Sequence, residues 1–309
     1  MVKWEGVIPA ITTKFKEDLS LDIEACNKNT KAQIEAGVNG LVLGGSLGES
    51  STITPEERME LLQETKKTAD GAISVIVNIA ESSTAQAIKL AKLAQDNGAD
   101  GLMALPPMMY KSTDEETTIW FETIAKNTDL PILVYNNPVD YKIEVTLDIF
   151  ERLVKQDNIA AVKESTRDTT NVTRIRNRFG DRLKILCGVD TLALESILLG
   201  ADGWLAGLVA AFPKETCAIY YLAKAGRIQE ALEIYRWFMP LLELDINPQL
   251  VQNIKLAEEY TGLGSEHVRP PRMPLTGTER KSVKNIIEIG LKTRPKLPDY
   301  LTLDVLETA

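Results

Sequence analysis

The stretch Ile159-Ala160-Ala161-Val162-Lys163-Glu164 decides how the fold of this chain is read. An apolar run of this kind, ending in a charged residue, is typical of a strand that is buried on both faces of a parallel sheet. Similar runs begin near residues 6, 40, 73, 101, 131, 183 and 203, with helical segments between them. This spacing is that of βα units. Eight such units predict an α/β fold of the closed (β/α)₈ TIM-barrel type, with right-handed crossovers.

The segments between the apolar runs carry helix signals. Thr54-Pro55-Glu56-Glu57 supplies an N-cap, a proline at the first helical position and acids in the first turn. From about residue 214 onward the strand pattern stops, and residues 228–244, 250–261 and 277–291 have the pattern of amphipathic helices. We therefore expect a barrel over residues 1–225 and a three-helix C-terminal extension, packed on the barrel, over residues 226–309.

Composition and charge argue against several classes of function. The net charge of -9 and the lack of a basic cluster argue against nucleic-acid binding. We expect no signal peptide and no membrane span, since no apolar run is long enough. Three widely spaced cysteines are consistent with a reducing compartment, so we expect a cytoplasmic protein. His267 is the only histidine, which disfavours histidine triads and histidine-rich metal sites.

Lys163 is the first candidate for chemistry, because the active sites of such barrels lie where the strands end. Burial at a strand end lowers the pKa of an ammonium group. The neutral amine can then attack a carbonyl and form a Schiff base. On position alone, a lysine with its charged end in solvent is the commoner interpretation. The neighbouring strand ends favour the reactive amine.

Two other strand ends carry suitable groups. The segment 44–50, Gly-Gly-Ser-Leu-Gly-Glu-Ser, follows strand two, and its glycines allow successive N–H groups to converge on an anion. It matches neither phosphate-loop pattern, so a carboxylate is a better fit than a pyrophosphate. Tyr135, in Tyr135-Asn136-Asn137-Pro138 after strand five, is a candidate phenolic proton relay. Because neighbouring strands lie about 5 Å apart, Tyr135 and Lys163 can face one cavity.

These three segments, in this order and spacing, resemble the dihydrodipicolinate synthase and N-acetylneuraminate lyase superfamily of class I Schiff-base barrels. The resemblance covers the whole chain, including the C-terminal helices. It implies that Lys163 forms a Schiff base with a 2-oxo acid or cyclic imine and that Tyr135 shuttles protons. It also implies that the hydroxyl of Ser46 links Tyr135 into a relay. No metal or organic cofactor is then needed, because the lysine itself is the electron sink.

The same resemblance assigns binding residues and an assembly. The loop from Gly45 to Leu47 would hold the substrate carboxylate through the N–H groups of Ser46 and Leu47. Gly188 and Leu205 match positions that line the pyruvyl end of the site. Members of the family are commonly tetramers, so a homotetramer is expected.

The sequence departs from the family pattern on the side of the second substrate. The tyrosine that usually completes the relay after strand four falls on Met109, and Tyr110, one place later, is a candidate substitute. Dihydrodipicolinate synthases carry an arginine shortly after the Tyr-Asn-x-Pro turn, where this chain has Asp140. An acid there would repel a second carboxylate. Glu81 and Asp190 are further acids that would bind a substrate ammonium or hydroxyl, or else serve as loop acids.

Residues 6–15 and 250–258 are similar to one branch of the superfamily, the 1-pyrroline-4-hydroxy-2-carboxylate deaminase of hydroxyproline catabolism. Lys163 would attack the cyclic imine, and Asp140, Glu81 or Asp190 would accept the ammonium of the opened ring. Two enzyme alternatives stay open: a 4-hydroxy-tetrahydrodipicolinate synthase, and an aldolase or dehydratase of 2-keto-3-deoxy sugar acids. A third alternative is a non-catalytic barrel that binds a 2-oxo acid, because the relay tyrosine is missing.

Overall fold

The computed structural model describes residues 2–303 and forms eight parallel strands with helices between them, as the apolar runs predict. The predicted (β/α)₈ fold class is therefore confirmed. The strands are β1 Gly6–Val7, β2 Gly40–Leu43, β3 Ser74–Ile79, β4 Gly101–Ala104, β5 Ile132–Asn136, β6 Ile159–Glu164, β7 Lys184–Cys187 and β8 Gly203–Trp204.

The helices of the described residues surround the sheet and continue into the C-terminal region. They are α1 Ile23–Glu35, α2 Pro55–Ala69, α3 Thr84–Asp96, α4 Asp114–Ala125, α5 Pro138–Tyr141, α6 Leu147–Leu153, α7 Thr170–Phe179, α8 Ala193–Leu198, α9 Pro213–Lys224, α10 Ile228–Leu242, α11 Leu250–Thr261 and α12 Gly277–Lys292. Helix α2 begins as its sequence predicts, since Thr54 and Glu57 form a capping box. None of the helices within residues 2–303 is long and apolar enough to cross a membrane.

The strands pair in the order β1-β8-β7-β6-β5-β4-β3-β2, so each strand except the two ends of this series lies between two others. The remaining gap between β1 and β2 is bridged by backbone hydrogen bonds. Val42 N donates to Pro9 O at 2.7 Å, and Ile11 N donates to Val42 O at 3.2 Å. The sheet is thereby bent round into a barrel whose strand ends meet at one mouth.

The interior of the barrel is filled by alternate strand residues, which form a buried cluster that includes Val42, Ile76, Leu133, Ala161 and Leu186. Because side chains on one face recur every second residue, the positions two places beyond Leu133 and Ala161 also point inward. Those positions are Tyr135 and Lys163, which are register partners on β5 and β6.

The C-terminal helices fasten the loops of the barrel mouth. Lys255, on α11, is fully buried and forms an ion pair with the buried carboxylate of Glu49 in the loop after β2. Arg269 N also donates to Glu49 Oε2 at 3.1 Å. A second buried pair joins Lys14 to Glu258, on α11, at 2.6 Å. The extension therefore supports the loop that the sequence singles out for carboxylate binding.

Candidate active site

A cavity of about 90 Å³ lies inside the mouth of the barrel. It has room for several water-sized groups. The structure brings together eight of the predicted site residues around it, namely Gly45, Ser46, Leu47, Tyr135, Asp140, Lys163, Gly188 and Leu205. These residues come from five different strand ends and the loops that follow them, as expected for chemistry at the carboxyl ends of barrel strands.

Lys163 points into this cavity and is only 8% exposed. Its Nζ lies 4.1 Å from the centre of the Tyr135 ring. Burial lowers the pKa of Lys163, although the neighbouring Tyr141, Asp245 and Asp190 oppose that shift. A lowered pKa increases the fraction of neutral amine, which is the nucleophilic form.

Gly188 provides the space that the lysine occupies. A Cβ atom at this position would lie 2.6 Å from Cε of Lys163 and 2.2 Å from Oγ of the buried Ser165. The aliphatic part of Lys163 therefore packs directly on the backbone of the strand-seven end. The side chain is held against β7 rather than free to turn toward solvent.

Tyr135 is the second member of the pair. Its hydroxyl accepts a hydrogen bond of 3.2 Å from Nδ2 of Asn137. Burial raises the pKa of Tyr135 to about 12, against the opposing effect of the Asn137 hydrogen bond. The phenol is consequently protonated over the physiological range and can give a proton to a group in the cavity.

The hydroxyl of Ser46 has a different partner from the one expected. The resemblance predicts a link from Ser46 to Tyr135, whereas Ser46 Oγ lies 2.7 Å from the hydroxyl of Tyr141. Asn137 caps the short helix α5 and Pro138 begins it, so one helical turn brings Tyr141 back toward the loop after β2. The rings of Tyr135 and Tyr141 meet edge to face at 5.6 Å. Tyr141 therefore lies between Ser46 and Tyr135.

Tyr141 was missed as a site residue, although a sequence signal exists for it. Asn-Pro is a helix-start signal, and the residue four places after the N-cap completes the first turn. This signal places Tyr141 at the site only if it is also known that the turn folds over the mouth of the barrel.

The loop after β2, residues 44–50, has the geometry of an anion site. Gly44 has a positive φ of 63°, and a Cβ on Gly48 would lie 3.0 Å from the Gly44 nitrogen. Only a glycine fits both positions without strain. Within residues 2–303, no hydrogen-bond acceptor is found for the N–H groups of Ser46 and Leu47. Two such groups at a cavity wall can bind a carboxylate.

Three predicted binding residues lie away from the cavity or are already bonded. Glu81 does not line the cavity, because Arg58 of α2 pairs with it at 3.3 Å. Asp190 is buried, and its carboxylate accepts hydrogen bonds from Trp204 Nε1 at 2.9 Å and Leu208 N at 2.8 Å, which makes it a structural brace. Tyr110 is 56% exposed, because it lies in a solvent-facing turn after β4.

Two charged residues that the sequence did not single out do line the cavity. Arg167 follows β6 with a positive φ of 65°, and its guanidinium lies 3.8 Å from Asp140 Oδ1. Asp245 lies between α10 and α11, and its carboxylate rests on Gly207, where a Cβ atom would be 2.2 Å from Oδ1. Arg167 follows Lys163 closely in sequence, so a systematic reading of strand ends would have found it. No local pattern connects residue 245 with the barrel mouth.

Comparison with curated proteins gives relatives that span nearly the whole chain. The 4-hydroxy-tetrahydrodipicolinate synthase of Methanopyrus kandleri is 31% identical over 300 residues, covering 96% of this chain and 98% of the relative. The enzyme of the same name from Kosmotoga olearia is 30% identical over 291 residues, covering 92% of this chain and 98% of the relative.

Solved structures give the same result in three dimensions. Dihydrodipicolinate synthase of Bacillus anthracis superposes with a TM-score of 0.90 at 26% identity, covering 96% of this chain and 100% of that one. The chloride-inhibited dihydrodipicolinate synthase of Acinetobacter baumannii, complexed with pyruvate, superposes with a TM-score of 0.89 at 28% identity, covering 93% and 99%.

The model of the dihydrodipicolinate synthetase family matches residues 3–289, which include every segment that surrounds the cavity. The chain therefore belongs to the dihydrodipicolinate synthetase family and is an enzyme of the lyase class.

Proposed function

We propose that the protein binds a 2-oxo acid covalently, as a Schiff base on Lys163, and that its reaction is that of a 4-hydroxy-tetrahydrodipicolinate synthase. Pyruvate would be the bound 2-oxo acid and aspartate semialdehyde the second substrate. The observation that carries the proposal is the buried amine of Lys163 in a small cavity, 4.1 Å from the centre of the Tyr135 ring. The curated relatives carry this activity in their names, which favours it over the deaminase expected from the sequence.

The loop after β2 would orient the 2-oxo acid. Its carboxylate would accept hydrogen bonds from the N–H groups of Ser46 and Leu47, and its carbonyl carbon would then face Lys163. Leu205 and Gly188 would enclose the methyl end. A ligand held at both ends presents its carbonyl in one orientation, which lowers the entropic part of the barrier.

The steps follow from the protonation states of the two side chains. The neutral amine of Lys163 adds to the carbonyl carbon to give a carbinolamine, which takes up a proton and loses water as an iminium forms. The released water accepts a proton from C3, which converts the iminium to an enamine. C3 of the enamine attacks the aldehyde carbon of the second substrate and restores the iminium. Tyr135, protonated because burial raises its pKa to about 12, supplies the proton to the new alkoxide. The amino group of the second substrate then attacks the iminium carbon, gives a proton back to Tyr135 and expels Lys163 as a neutral amine, which closes the ring. The hydroxyls of Tyr141 and Ser46, 2.7 Å apart, lie next to this phenol on the side of the loop after β2, with the Tyr141 ring packed edge to face on Tyr135.

The second substrate would enter past Arg167 and Asp140. The resemblance predicts an arginine after Tyr-Asn-x-Pro, and Asp140 stands there instead. Arg167, from the loop after β6, places a guanidinium at the same mouth. A carboxylate of the second substrate can compete with Asp140 for this guanidinium, because both side chains are about half exposed and the pair is weak.

A second candidate is the deamination of 1-pyrroline-4-hydroxy-2-carboxylate. It is favoured by the carboxylates of Asp140 and Asp245, which line the cavity and suit the ammonium of the opened ring. The same Lys163 amine would attack the imine carbon of this substrate, and loss of the 4-hydroxyl would follow enamine formation.

Two parallel assays separate the candidates. Purified protein is given pyruvate and aspartate semialdehyde, with a reductase coupled to the condensation product, or it is given the hydroxypyrroline, with a semialdehyde dehydrogenase coupled to the deamination product. The proposal expects turnover in the first assay, at least 100-fold above a Lys163→Met variant. Turnover in the second assay alone would replace the synthase with the deaminase. Absence of turnover in both would leave the 2-keto-3-deoxy sugar acids as substrates to be tested and would refute the synthase.

A further inference from the structure

The cavity contains a carboxylate for which the steps above have no role. The chain between α10 and α11 passes over the barrel mouth, and Asp245 on this connection lines the same cavity as Lys163. The carboxylate reaches this place because Gly207 has no side chain. A Cβ atom on Gly207 would lie 2.2 Å from Oδ1 and 2.9 Å from Cγ of Asp245.

The other acids near the amine are already bonded. Asp190 accepts from an indole and two backbone N–H groups. Asp140 accepts from Asn137 Nδ2 at 2.8 Å and lies 3.8 Å from Arg167. Within residues 2–303, by contrast, no hydrogen-bond donor is found for the carboxyl oxygens of Asp245. Asp245 is thus the acid at this cavity that is free to exchange a proton.

We propose that Asp245 is a second acid–base residue of the site, which holds the proton that Lys163 releases and returns it to the leaving hydroxyl. This inference rests on the Schiff-base chemistry of the proposed function, because it assigns a group to the formation of that adduct. Tyr135 would then transfer protons to the substrate oxygen when it becomes an alkoxide. Asp245 would accept the proton that the ammonium of Lys163 releases and would later give it to the leaving hydroxyl.

The protons balance over the sequence. First, the ammonium of Lys163 gives a proton to the carboxylate of Asp245, which leaves an amine and a carboxylic acid. The amine forms a bond to the carbonyl carbon, and Tyr135 relays one proton from the nitrogen to the new alkoxide, giving a carbinolamine. The carboxylic acid of Asp245 then protonates the hydroxyl, the C–O bond breaks, and water leaves with an iminium in place. Asp245 ends as a carboxylate.

The environment favours the uncharged pair. The half-buried position of Asp245 over the cavity raises its pKa well above the usual range, with Asp190 and Asp140 adding to the rise and Lys163 and Arg167 opposing it. A carboxylate whose pKa is raised can accept the proton of a neighbouring ammonium and return it as an acid near neutral pH.

The same burial acts in the opposite direction on Lys163 and lowers its pKa. The negative charges of Tyr141, Asp245, Asp190 and Cys187 are those that oppose this fall. Removing the negative charge of Asp245 should therefore lower the pKa of Lys163 further, because the ammonium loses one of its counter-charges.

The test measures adduct formation and needs no second substrate. Protein is mixed with pyruvate, quenched with borohydride at increasing times and weighed by mass spectrometry, over a series of pH values. In Asp245→Asn the proposal expects adduct formation to be roughly 10²- to 10⁴-fold slower, the range for loss of an acid–base group. It also expects the rise of rate with pH to begin at lower pH than in the unaltered protein. Glu243→Gln, at an exposed position just before Asp245, is the matched control and should leave both quantities unchanged.

Gly207→Ala provides an independent variant. The added methyl group would displace the end of a flexible side chain, so the protein should fold while the carboxylate turns out of the cavity. The same slowing is expected, with the circular dichroism spectrum unchanged.

If Asp245→Asn and Gly207→Ala both form adduct at the normal rate with the normal pH profile, Asp245 has no acid–base role. A uniform loss in Asp245→Asn without the pH shift would reduce Asp245 to a structural residue. Failure of the unaltered protein to form adduct would instead refute the proposed function.

Discussion

The two sides of the cavity are built in contrasting ways. The loop after β2, residues 44–50, is fastened from beneath by the fully buried pair of Glu49 and Lys255. The opposite side is formed by Asp140 and Arg167, which are 54% and 45% exposed and 3.8 Å apart. A loop held by a buried ion pair keeps one geometry. An exposed ion pair contributes little free energy, so a charged substrate group can replace one of its partners at low cost. We infer that the fixed side binds the 2-oxo acid and that the exposed pair selects the second substrate.

The largest expected effect comes from breaking the buried side. Lys255→Met leaves the carboxylate of Glu49 buried with only Arg272, 4.0 Å away, as a counter-charge, so the free energy of unfolding should fall by about 3–5 kcal/mol. Urea-induced unfolding measures this loss of stability. Lys284→Met, which removes the exposed partner of Glu288, is the matched control and should cost less than about 0.5 kcal/mol. Equal losses in the two variants would show that the loop is not fastened by its buried pair.

The exposed side is tested by removing its cation. Arg167→Gly and Arg167→Ala both abolish the charge, and the KM for the second substrate should rise by roughly 10- to 100-fold, as expected for one charged hydrogen bond. The KM for pyruvate should stay within a factor of two. Only glycine relieves the positive φ of 65° at this residue. Arg167→Gly should therefore be more stable than Arg167→Ala by about 1 kcal/mol. A shared rise in the KM for pyruvate would contradict the division of roles.

Tyr141 connects the two sides, and its removal should have an intermediate effect. Tyr141→Phe deletes the 2.7 Å contact with Ser46 but keeps the ring that packs on Tyr135. The kcat should fall about tenfold, the value of one neutral hydrogen bond. Tyr221→Phe is the control, because its hydroxyl bonds Gly37 O outside the cavity. Unchanged turnover in Tyr141→Phe would remove Tyr141 from the relay.

The smallest expected effect is a shift in the pH at which the rate of adduct formation reaches its plateau. Only the neutral amine attacks, so in Asp245→Asn, whose rate no longer depends on the protonation of residue 245, adduct formation should rise with pH through the pKa of Lys163 and then level off. Because burial lowers that pKa, the plateau should begin below pH 10.5, the ordinary value for lysine. No decline from Tyr135 should appear below about pH 11, since burial raises the pKa of its phenol to about 12. A rate that still rises at pH 10.5 would show that the amine behaves as a solvated lysine.

The barrel was readable from the sequence because its evidence is local. Continuous apolar runs and helix caps repeat with the period of βα units, and each apolar run forms a strand in the structure. The facing of Tyr135 and Lys163 followed from the same pattern, since inward residues alternate along strands of one register.

The rest of the site depends on how loops return over the mouth, which local patterns do not encode. Asp245 arrives from the connection between two C-terminal helices, and its place depends on a glycine 38 positions earlier. The sequence suggested that Glu81 binds the substrate, because it does not show that Arg58, on a helix earlier in the chain, pairs with this carboxylate. Ser46 was assigned to Tyr135 because the turn that inserts Tyr141 between them was not foreseen. Long-range contacts of this kind require the folded structure.

The central claim is that Lys163 carries the substrate as a covalent adduct held by the loop after β2. A crystal of the protein soaked in pyruvate tests it directly. The account predicts continuous electron density from Nζ of Lys163 to C2 of the ligand, with the ligand carboxylate within hydrogen-bond distance of the N–H groups of Ser46 and Leu47. Pyruvate bound without a bond to Lys163, or bound with its carboxylate on Arg167, would contradict it.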